Sequence, residues 1–368
     1  MLRLEELRSV DALCRGLCVR IAVIGGGLFG CTAAALAAKH GHEVHLFESK
    51  PKLMQGATSC CYYRLHRGYH YPRSLETGRE SLDAEASFRQ WYGKSVMDGG
   101  QQYYAVPEDA KVTGMEFQGA MDALKLRYRR IDRHPLINAE WVWEVEEPRI
   151  DAAMLSILAV DAVSEFGVLV HLGKPVGKLE GFDRIIVAVY AGTNQVLRRL
   201  GLPLTDYKFQ VVEKPIVALP AGFANTSIVV MDHCCVDPHQ YTDCHVLGHV
   251  SATFHHEHVG TEPLVPLYLL PYVERGVVRE RDGYEVSRIH DVIRAMADTI
   301  PAVRGCEYMG SMYAVRALLA GQEATDARPS LVTRLSDQVV RIFSGKLGTA
   351  VVAAEQAVAM LDQQREAA

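Results

Sequence analysis

The pattern of hydrophobic and polar positions predicts a β-α-β unit near the start of the chain. Residues 19–24 form a β-branched apolar run, which is typical of a parallel strand that is buried on both faces. An alanine-rich stretch over residues 28–40 predicts a helix that ends at Gly41, and residues 43–47 predict a second strand. Two strands joined by such a crossover helix pair in parallel.

Further segments predict a layered α/β domain. It is interrupted by a region whose pattern predicts antiparallel strands. The α/β segments are a helix at 151–166, a short strand at 168–172, a strand at 184–189 before a new helix, a strand at 339–343 and a helix from 349 to about 365. The region between is predicted to hold antiparallel strands at 207–219, 228–231, 244–254 and 267–273 and helices at 81–92 and 115–130. Residues 1–17 are predicted as a short amphipathic leader.

Composition narrows the function classes. The chain has 368 residues, of which 49% are hydrophobic and 23% charged, so we expect a globular protein of two or three domains. Its net charge of −5 supplies no bulk positive field for nucleic acid or an anionic membrane. No apolar run reaches the ~20 residues of a membrane span, and acidic residues occupy the stretch where a signal peptide would be apolar. These features predict a cytoplasmic protein whose nine cysteines are reduced thiols.

The turn after the first predicted strand carries a dinucleotide-binding motif. Residues 25–30 read G-G-G-L-F-G, a G-x-G-x-x-G that follows a predicted strand and opens a predicted helix, with Glu48 at the end of the next strand. Gly25 permits the tight turn, and Gly27 lets the backbone approach a pyrophosphate. Gly30 lets the helix pack closely on the sheet. Glu48 can accept hydrogen bonds from ribose hydroxyls. The alternative is a glycine-rich turn that binds nothing, and the motif alone does not separate NAD from FAD.

Several later segments occur in the order of a known family. They are Q-G-A-T-S at 55–59, R-L-H-R-G-Y-H-Y-P at 64–72, the Ala191-Gly192 pair, residues 313–316 with Asp326 and Pro329, and the loop at 345–349. With the glycine motif, they resemble the D-amino-acid oxidase superfamily of FAD-dependent oxidoreductases. The chain departs from the family pattern where Arg316 precedes Ala317 instead of proline, and where Gly192 precedes Thr193 and Asn194.

The resemblance implies FAD as the cofactor and a two-part α/β architecture. A Rossmann-like FAD-binding domain is expected from the discontinuous segments 1–80, 145–205 and 325–368. An inserted α+β substrate-binding domain with an antiparallel sheet is expected from 81–144 and 206–324. The residues expected to contact FAD are Gly25, Gly27, Leu28, Phe29, Gly30, Glu48, Ser49, Thr58, Ser59, Gly192, Gly345, Lys346, Leu347, Gly348 and Thr349.

The resemblance also implies where a substrate carboxylate is held. A guanidinium binds a carboxylate with two hydrogen bonds, and by resemblance this role falls on Arg316, with the Tyr313 hydroxyl as a partner. Arg64 and Arg73 compete for the same role. The plain alternative for Arg316 is a surface arginine after a strand.

His66 and His70 are the candidate bases, because a histidine beside the flavin can take the proton of an amine or hydroxyl. If the segment is extended, His66, Gly68 and His70 share one face. Alternatively both histidines only pack around the flavin ring, and a covalent flavin link at His66 is a further alternative. Lys346 replaces the family's usual glycine or histidine. It either stabilises the anionic reduced flavin or is a solvated loop lysine.

A segment rich in cysteine and histidine at 232–258 has zinc-ligand residue types. It contains no C-x2-C pair and no H-E-x-x-H spacing, so no metal site is predicted. The adjacent Cys60 and Cys61 are predicted as buried thiols, since neighbouring cysteines form only strained disulfides.

Taken together, these features predict an FAD-dependent oxidoreductase acting on a small carboxylate-bearing amine, an amino acid or an N-substituted glycine. Hydride would pass from the α-carbon to flavin N5, and O2 would reoxidise the flavin. The alternatives are a 2-hydroxyacid dehydrogenase with another electron acceptor, and a nucleotide-sugar mutase with a basic pocket from Arg127, Arg129 and Arg130. A hydroxylating monooxygenase would also need NAD(P)H, and a flavin-free NAD-binding protein is disfavoured by the resemblance. The sequence predicts no oligomeric state.

Overall fold

The computed structural model describes residues 18–132, 134–173, 175–177, 179–240, 242–321 and 327–362. The predicted leader at 1–17, Asp326 and the end of the last predicted helix lie outside these ranges.

The described chain contains both helices and strands, numbered here in chain order. The helices are α1 Leu28–Lys39, α2 Leu75–Tyr92, α3 Gly114–Ala123, α4 Ala152–Glu165, α5 Thr193–Arg199, α6 Glu280–Gly283, α7 Ile289–Met296 and α8 Ala350–Asp362. The strands are β1 Arg20–Ile24, β2 Glu43–Phe47, β3 Val96–Met97, β4 Gln101–Val106, β5 Tyr128–Ile131, β6 Trp141–Val145, β7 Arg149–Ile150, β8 Leu169–His171, β9 Arg184–Val187, β10 Tyr207–Ala218, β11 Thr226–Val230, β12 Cys234–Pro238, β13 Cys244–His249, β14 Phe254–Gly260, β15 Val277–Arg279, β16 Glu307–Leu319, β17 Leu331–Arg334 and β18 Val339–Phe343.

A six-stranded sheet in the order β17-β18-β9-β1-β2-β8 forms the first layer. Its pairs are parallel except for β17 with β18. Helices α1, α4 and α8 pack on one face and α5 on the other, so Ala22 and Val23 at the centre of β1 are fully buried. The prediction of a doubly covered parallel sheet from separated segments is confirmed.

A larger sheet forms the second layer, in the order β15-β16-β10-β13-β12-β11-β4-β6-β5, with β14 pairing β10 as well. Its pairs are antiparallel except for β11 with β4. Helix α7 packs on one part of this sheet and α3 on another. The predicted α+β region with an antiparallel sheet is therefore confirmed.

Three predicted elements of the inserted region differ from the structure. Residues 267–273 hold a short 3-10 turn, Leu267–Leu269, in place of a strand, because prolines at 266 and 271 remove backbone donors. The helix predicted over 115–130 stops at Ala123, since Lys125 has a positive φ of 55° and leads into β5. The strand predicted over 244–254 ends at His249, and a separate β14 follows.

Helix α2 begins before the predicted helix at 81–92 and crosses the predicted domain boundary at residue 81. Its Phe88 and Tyr92 pack in the core of the six-stranded sheet, so α2 belongs to that layer. The other predicted domain limits stay predictions. No helix within the described ranges is long and apolar enough to cross a membrane.

Candidate functional site

Four of the predicted cofactor-binding segments meet at one edge of the six-stranded sheet. Gly25 follows β1, Glu48 follows β2, Gly192 comes after β9 and Gly345 comes after β18. These four strands are parallel neighbours, and the carboxyl ends of parallel strands lie at the edge where α/β sheets bind ligands. The fold thus brings together segments that are far apart in sequence.

The three motif glycines of the first turn meet different steric demands. Gly25 has a φ of 110°, and a Cβ on it would lie 2.4 Å from the Ala188 carbonyl oxygen. A Cβ on Gly30 would lie 1.7 Å from the Gly25 carbonyl oxygen, so this glycine lets α1 pack on the turn. Among the described residues, a Cβ on Gly27 would meet only the Thr58 hydroxyl, at 3.1 Å. The space in front of Gly27 is therefore open to a ligand.

The N-terminus of α1 faces this open space. Helices α3 and α4 begin with side-chain caps from Thr113 and Asp151, whereas α1 has no such cap within the described chain. Its Leu28 amide donates to Thr58 Oγ1 at 3.3 Å, and its first turn, which includes the buried Phe29, carries no acidic residue. Uncapped amides and the positive end of the helix dipole suit a phosphate group.

Glu48 is anchored by the backbone of the same turn. Its Oε2 accepts from the Gly26 amide at 2.7 Å, and its Oε1 accepts from the Lys50 amide at 2.8 Å. The Ser49 hydroxyl also donates to Oε1, at 3.2 Å. Since each carboxylate oxygen has two lone pairs, Oε2 keeps acceptor capacity for a ribose hydroxyl.

Thr58 and Ser59 belong to a 3-10 turn that borders a cavity. The turn covers Gly56–Ser59, and the Ser59 hydroxyl donates to the Gly56 carbonyl oxygen at 2.9 Å. A cavity of about 210 Å³ lies beside both residues, with Met54 and Tyr63 in its lining. The turn therefore lines a cavity whose other wall comes from the start of α4.

The loop at 345–349 is held against helix α2, and this corrects both interpretations of Lys346. Glu80 on α2 accepts from the Ser330 amide at 3.1 Å, and the Ser330 hydroxyl accepts from the Gly345 amide at 2.9 Å. Lys346 is buried, pairs with Glu80 at 3.2 Å and lies 4.8 Å from the ring centre of Tyr71. Burial lowers the pKa of Lys346, although Glu80 opposes this. Its charge is therefore neither solvated nor free for the flavin.

The same loop packs on the segment that carries the two histidines. Residues Leu347–Thr349 form a 3-10 turn, and a Cβ on Gly348 would lie 2.8 Å from Leu65 Cδ1. The Thr349 hydroxyl is hydrogen-bonded to the Ser330 hydroxyl at 2.5 Å. Leu65 therefore brings His66 next to the predicted cofactor loop.

The segment of His66 and His70 turns, so the extended conformation under which the two histidines would share one strand face does not occur. Gly68 has a φ of 105°, and the Tyr71 amide donates to the Gly68 carbonyl oxygen at 2.9 Å. The turn stacks the two imidazole rings with their centres 5.5 Å apart. The two candidate bases thus lie together, although not by strand alternation.

His66 is oriented by a buried carboxylate that sequence reasoning missed. His66 Nδ1 lies 3.2 Å from Glu147 Oε1, and Tyr104 donates its hydroxyl to Glu147 Oε2 at 2.7 Å. Burial alone would raise the pKa of Glu147, but the His66 and Arg64 charges outweigh it and hold this pKa below its usual range. With Nδ1 facing an ionised carboxylate, His66 Nε2 is the nitrogen left to accept a proton.

His70 is a neutral imidazole. Burial, followed by the charges of His66, Arg64, Arg328 and Arg316, holds its pKa well below the usual range. Its Nδ1 is buried without a hydrogen-bond partner in the described chain. Arg316 is therefore close enough to His70 for its charge to act on this imidazole.

Like Arg328, whose charge acts on it, Arg316 is a cation without a partner in the described part of the chain. Within the described chain it forms no hydrogen bond and no ion pair, and its nearest aromatic contact is the Phe254 ring at 5.9 Å. Burial, and then the charge of Arg328, lowers the pKa of Arg316 to about 10. A partly buried guanidinium without a counter-ion is suited to an anionic ligand.

The two competing arginines are occupied. Arg64 binds Asp237 through both Nε and Nη2, at 2.7 and 2.6 Å, and both side chains are buried. Arg73 pairs with Asp232 at 3.2 Å. Of the three candidate arginines, Arg316 is therefore the one left for a substrate carboxylate.

Tyr313 does not join Arg316, and its predicted role as hydroxyl partner is wrong. Three positions along β16 place the two side chains on opposite faces of the sheet. The Tyr313 hydroxyl lies 3.4 Å from buried Glu213, which also accepts from His255 at 2.9 Å. A cavity of about 600 Å³ bordered by His255 and Tyr268 lies on this second face, away from Arg316.

Two buried polar residues of β10 share the Arg316 face. Gln210 is directly opposite Arg316 in the pairing of β10 with β16. Lys214 lies four residues further along β10, so its side chain is on the same face. Lys214 donates to the Cys60 carbonyl oxygen and lies 4.5 Å from the ring centre of Tyr62. A polar residue in an apolar strand is the one sequence signal for these positions, and it was not recognised.

The three arginines proposed for a diphosphate pocket do not form one. Arg129 pairs with Glu144, and Arg130 lies 3.7 Å from the ring centre of Trp141, both at the edge strand β5. Arg127 is 84% exposed. The basic pocket that a nucleotide-sugar mutase needs is not formed by these residues.

The cysteines and histidines of 232–258 do not converge. No group of three or more His, Cys, Asp or Glu in the described ranges could hold a metal ion. The described cysteines are free thiols: Cys18, Cys31, Cys60, Cys61, Cys234, Cys235, Cys244 and Cys306. Burial raises the pKa of Cys60 to about 12, so it is a protonated thiol.

Sequence and fold similarities agree with this geometry. Residues 20–332 match the family described as FAD dependent oxidoreductase, DAO. The FAD-dependent monooxygenase kojA of Aspergillus flavus is 26% identical over 94% of this chain and 86% of its own length. Glycine oxidase from Geobacillus kaustophilus shares the fold with a TM-score of 0.70 and 14% identity, over 94% of this chain and 95% of that chain. The dithionite-reduced L-α-glycerophosphate oxidase from Mycoplasma pneumoniae with FAD bound has the same four values.

The family match covers most of the chain, including every strand of the larger sheet and β1, β2, β8 and β9 of the six-stranded sheet. It confirms the resemblance seen in the sequence, the fold class, and FAD as the cofactor. The chain therefore belongs to the DAO family of FAD dependent oxidoreductases.

Proposed function

We propose that this FAD-dependent oxidoreductase oxidises a small amine that carries a carboxylate, an amino acid or an N-substituted glycine. The observation that carries the proposal is the guanidinium of Arg316. It is partly buried, has no counter-ion in the described chain, and is close enough to His70 for its charge to act on that imidazole. A carboxylate supplies the missing charge and can accept two hydrogen bonds from it.

The proposed FAD site consists of the four segments at the carboxyl edge of the six-stranded sheet. The open space before Gly27 and the uncapped N-terminus of α1 suit the pyrophosphate, and Glu48 suits a ribose. FAD held by these residues would supply the acceptor for a hydride from the α-carbon of the substrate.

The side chains bind and orient the substrate and move its proton. Arg316 holds the carboxylate. His66 is directed by Glu147 so that Nε2 can take the amine proton. His70, held neutral by burial, adds no charge beside Arg316. O2 as the electron acceptor and a cytoplasmic location remain parts of the proposal.

A hydroxylating monooxygenase is the second candidate, because the relative kojA carries that name over nearly the whole chain. It differs from an oxidase in its need for NAD(P)H. A 2-hydroxyacid dehydrogenase would use the same Arg316 but would prefer hydroxy acids and another acceptor.

Oxygen uptake by the FAD-saturated protein tests the proposal. Amino acids, N-methylglycine and 2-hydroxy acids are compared with and without NADPH, in wild type, Arg316→Met and the exposed control Arg127→Met. We expect uptake with a carboxylate-bearing amine without NADPH, lost in Arg316→Met and kept in Arg127→Met. Uptake that depends on NADPH, or on hydroxy acids alone, would contradict the proposal.

A further inference from the structure

A buried glutamine beside Arg316 extends the proposed function and rests on it. Gln210 on β10 is directly opposite Arg316 on β16 and Glu257 on β14. Directly opposite residues project from the same face, so the three side chains form one row across the sheet. Gln210 is 4% exposed. The row begins at the proposed carboxylate site.

The amide of Gln210 has a fixed orientation. It donates from Nε2 to Glu257 Oε2 at 2.5 Å, and only the NH2 end of an amide can donate to a carboxylate. Lys208 pairs with Glu257 Oε1 at 2.9 Å. Burial opposes ionisation of Glu257, but these two hydrogen bonds outweigh it and lower its pKa, so the carboxylate acceptor persists at neutral pH.

The other end of the amide is left without a donor. Gln210 Oε1 is buried and has no hydrogen-bond partner in the described part of the chain. Buried amide oxygens almost always accept a hydrogen bond, because burial removes the one they make with water. Gln210 is thus an acceptor without a donor, and its neighbour Arg316 is a donor without an acceptor.

We infer that Gln210 Oε1 accepts a hydrogen bond from the N–H of the substrate while Arg316 binds its carboxylate. An α-amino acid or an N-substituted glycine carries these two groups on one carbon, and neighbouring strands are about 5 Å apart, so one small molecule reaches both side chains. The positive charge of Arg316 favours the neutral amine over the ammonium ion. Gln210 therefore selects a substrate with an N–H next to its carboxylate.

Two planar ligands of nearly equal shape test this assignment. Pyrrole-2-carboxylate has an N–H beside its carboxylate, whereas furan-2-carboxylate has a ring oxygen there. Their dissociation constants are measured on the FAD-saturated protein by titration of the visible flavin spectrum and by calorimetry. In wild type we expect pyrrole-2-carboxylate to bind at least about tenfold more tightly, since the furan oxygen faces the Gln210 oxygen without a hydrogen atom between them.

The Gln210→Met variant should bring the ratio of the two dissociation constants to about one by weakening pyrrole-2-carboxylate alone. The matched control Gln338→Met, at an exposed position, should keep the wild-type ratio. Equal binding of the two ligands in wild type would overturn the inference, whether or not Gln210→Met folds. Equal weakening of both ligands in Gln210→Met would also overturn it, because Gln210 would then only support Arg316.

The same titrations separate this inference from the proposed function. If furan-2-carboxylate binds to wild type but not to Arg316→Met, the carboxylate site at Arg316 is supported independently of the result for Gln210→Met. If neither ligand binds, or if Arg316→Met binds both as wild type does, the carboxylate site itself is refuted and the inference is overturned with it.

Discussion

Arg64, which is buried, and Arg316, which is partly buried, should respond in opposite ways to the same substitution. Arg64 forms two hydrogen bonds with Asp237, whereas Arg316 has no acidic partner in the described chain. Methionine keeps much of the length of either side chain and removes its charge. At neutral pH we expect Arg316→Met to stabilise the fold and Arg64→Met to destabilise it.

The magnitudes follow from the local electrostatics. Lowering the pKa of Arg316 from its ordinary value to about 10 means that the fold disfavours its charge, by at most about 3 kcal/mol since one pH unit is about 1.4 kcal/mol. Arg64→Met leaves Asp237 as a buried, uncompensated carboxylate, which costs roughly 3–5 kcal/mol. The gain at Arg316 should shrink as the pH rises above about 10, because the native guanidinium then loses its proton.

Thermal unfolding checks both variants, with the FAD dissociation constant of each measured alongside, because bound cofactor raises the apparent Tm according to that constant. We expect an increase of a few degrees for Arg316→Met and a decrease of several degrees for Arg64→Met. A lower Tm for Arg316→Met, or equal losses in the two variants, would refute the conclusion that Arg316 is an uncompensated charge kept for a ligand.

The remaining predictions concern the cofactor, the base and pH. Gly27→Asp should purify with little FAD, since its carboxylate repels the pyrophosphate. Gly27→Ala should lose less FAD, since it adds only an uncharged Cβ to the space open to the ligand; the flavin absorbance per protein decides. His66→Asn should lower kcat/KM roughly 10²- to 10⁴-fold. Glu147→Gln should shift the acid limb of the kcat/KM profile to lower pH, because a neutral amide stabilises an imidazolium less than a carboxylate does; an unmoved limb removes Glu147 from this role. Binding of furan-2-carboxylate should weaken as the pH rises through about 10, where Arg316 loses its charge.

The parallel layer could be predicted from the sequence because its signals are local. Strands β2 and β18 occur at the predicted residues, and β1 and α1 differ from prediction by one residue at an end. Apolar β-branched runs, small-residue helices and glycine turns coincide there with burial on both faces. The cofactor segments follow, since each comes directly after a strand of that layer.

The substrate side could be predicted only in part, because its chemistry depends on pairing between distant strands. Arg316 was predicted by resemblance. That it is the candidate arginine without a counter-ion follows from the structure, where Asp237 on a distant strand forms an ion pair with Arg64. Tyr313 was misplaced because β16 had not been recognised as one strand over residues 307–319, so the alternation of faces was not applied. Gln210 is marked in the sequence only as a polar residue in an apolar strand, and the roles of Glu147 and Gln210 follow from partners on other segments.

Anaerobic mixing of the FAD-saturated protein with N-methylglycine, proline and other carboxylate-bearing amines, followed through the visible flavin band, tests the central claim most directly. Each acid is paired with its own amide, which keeps the amine and removes the carboxylate charge. We expect at least one acid to bleach the flavin in wild type, its amide to bleach it far more slowly, and Arg316→Met to lose this preference. Bleaching by acid and amide at equal rates, or an unchanged preference in Arg316→Met, would contradict an Arg316 carboxylate site.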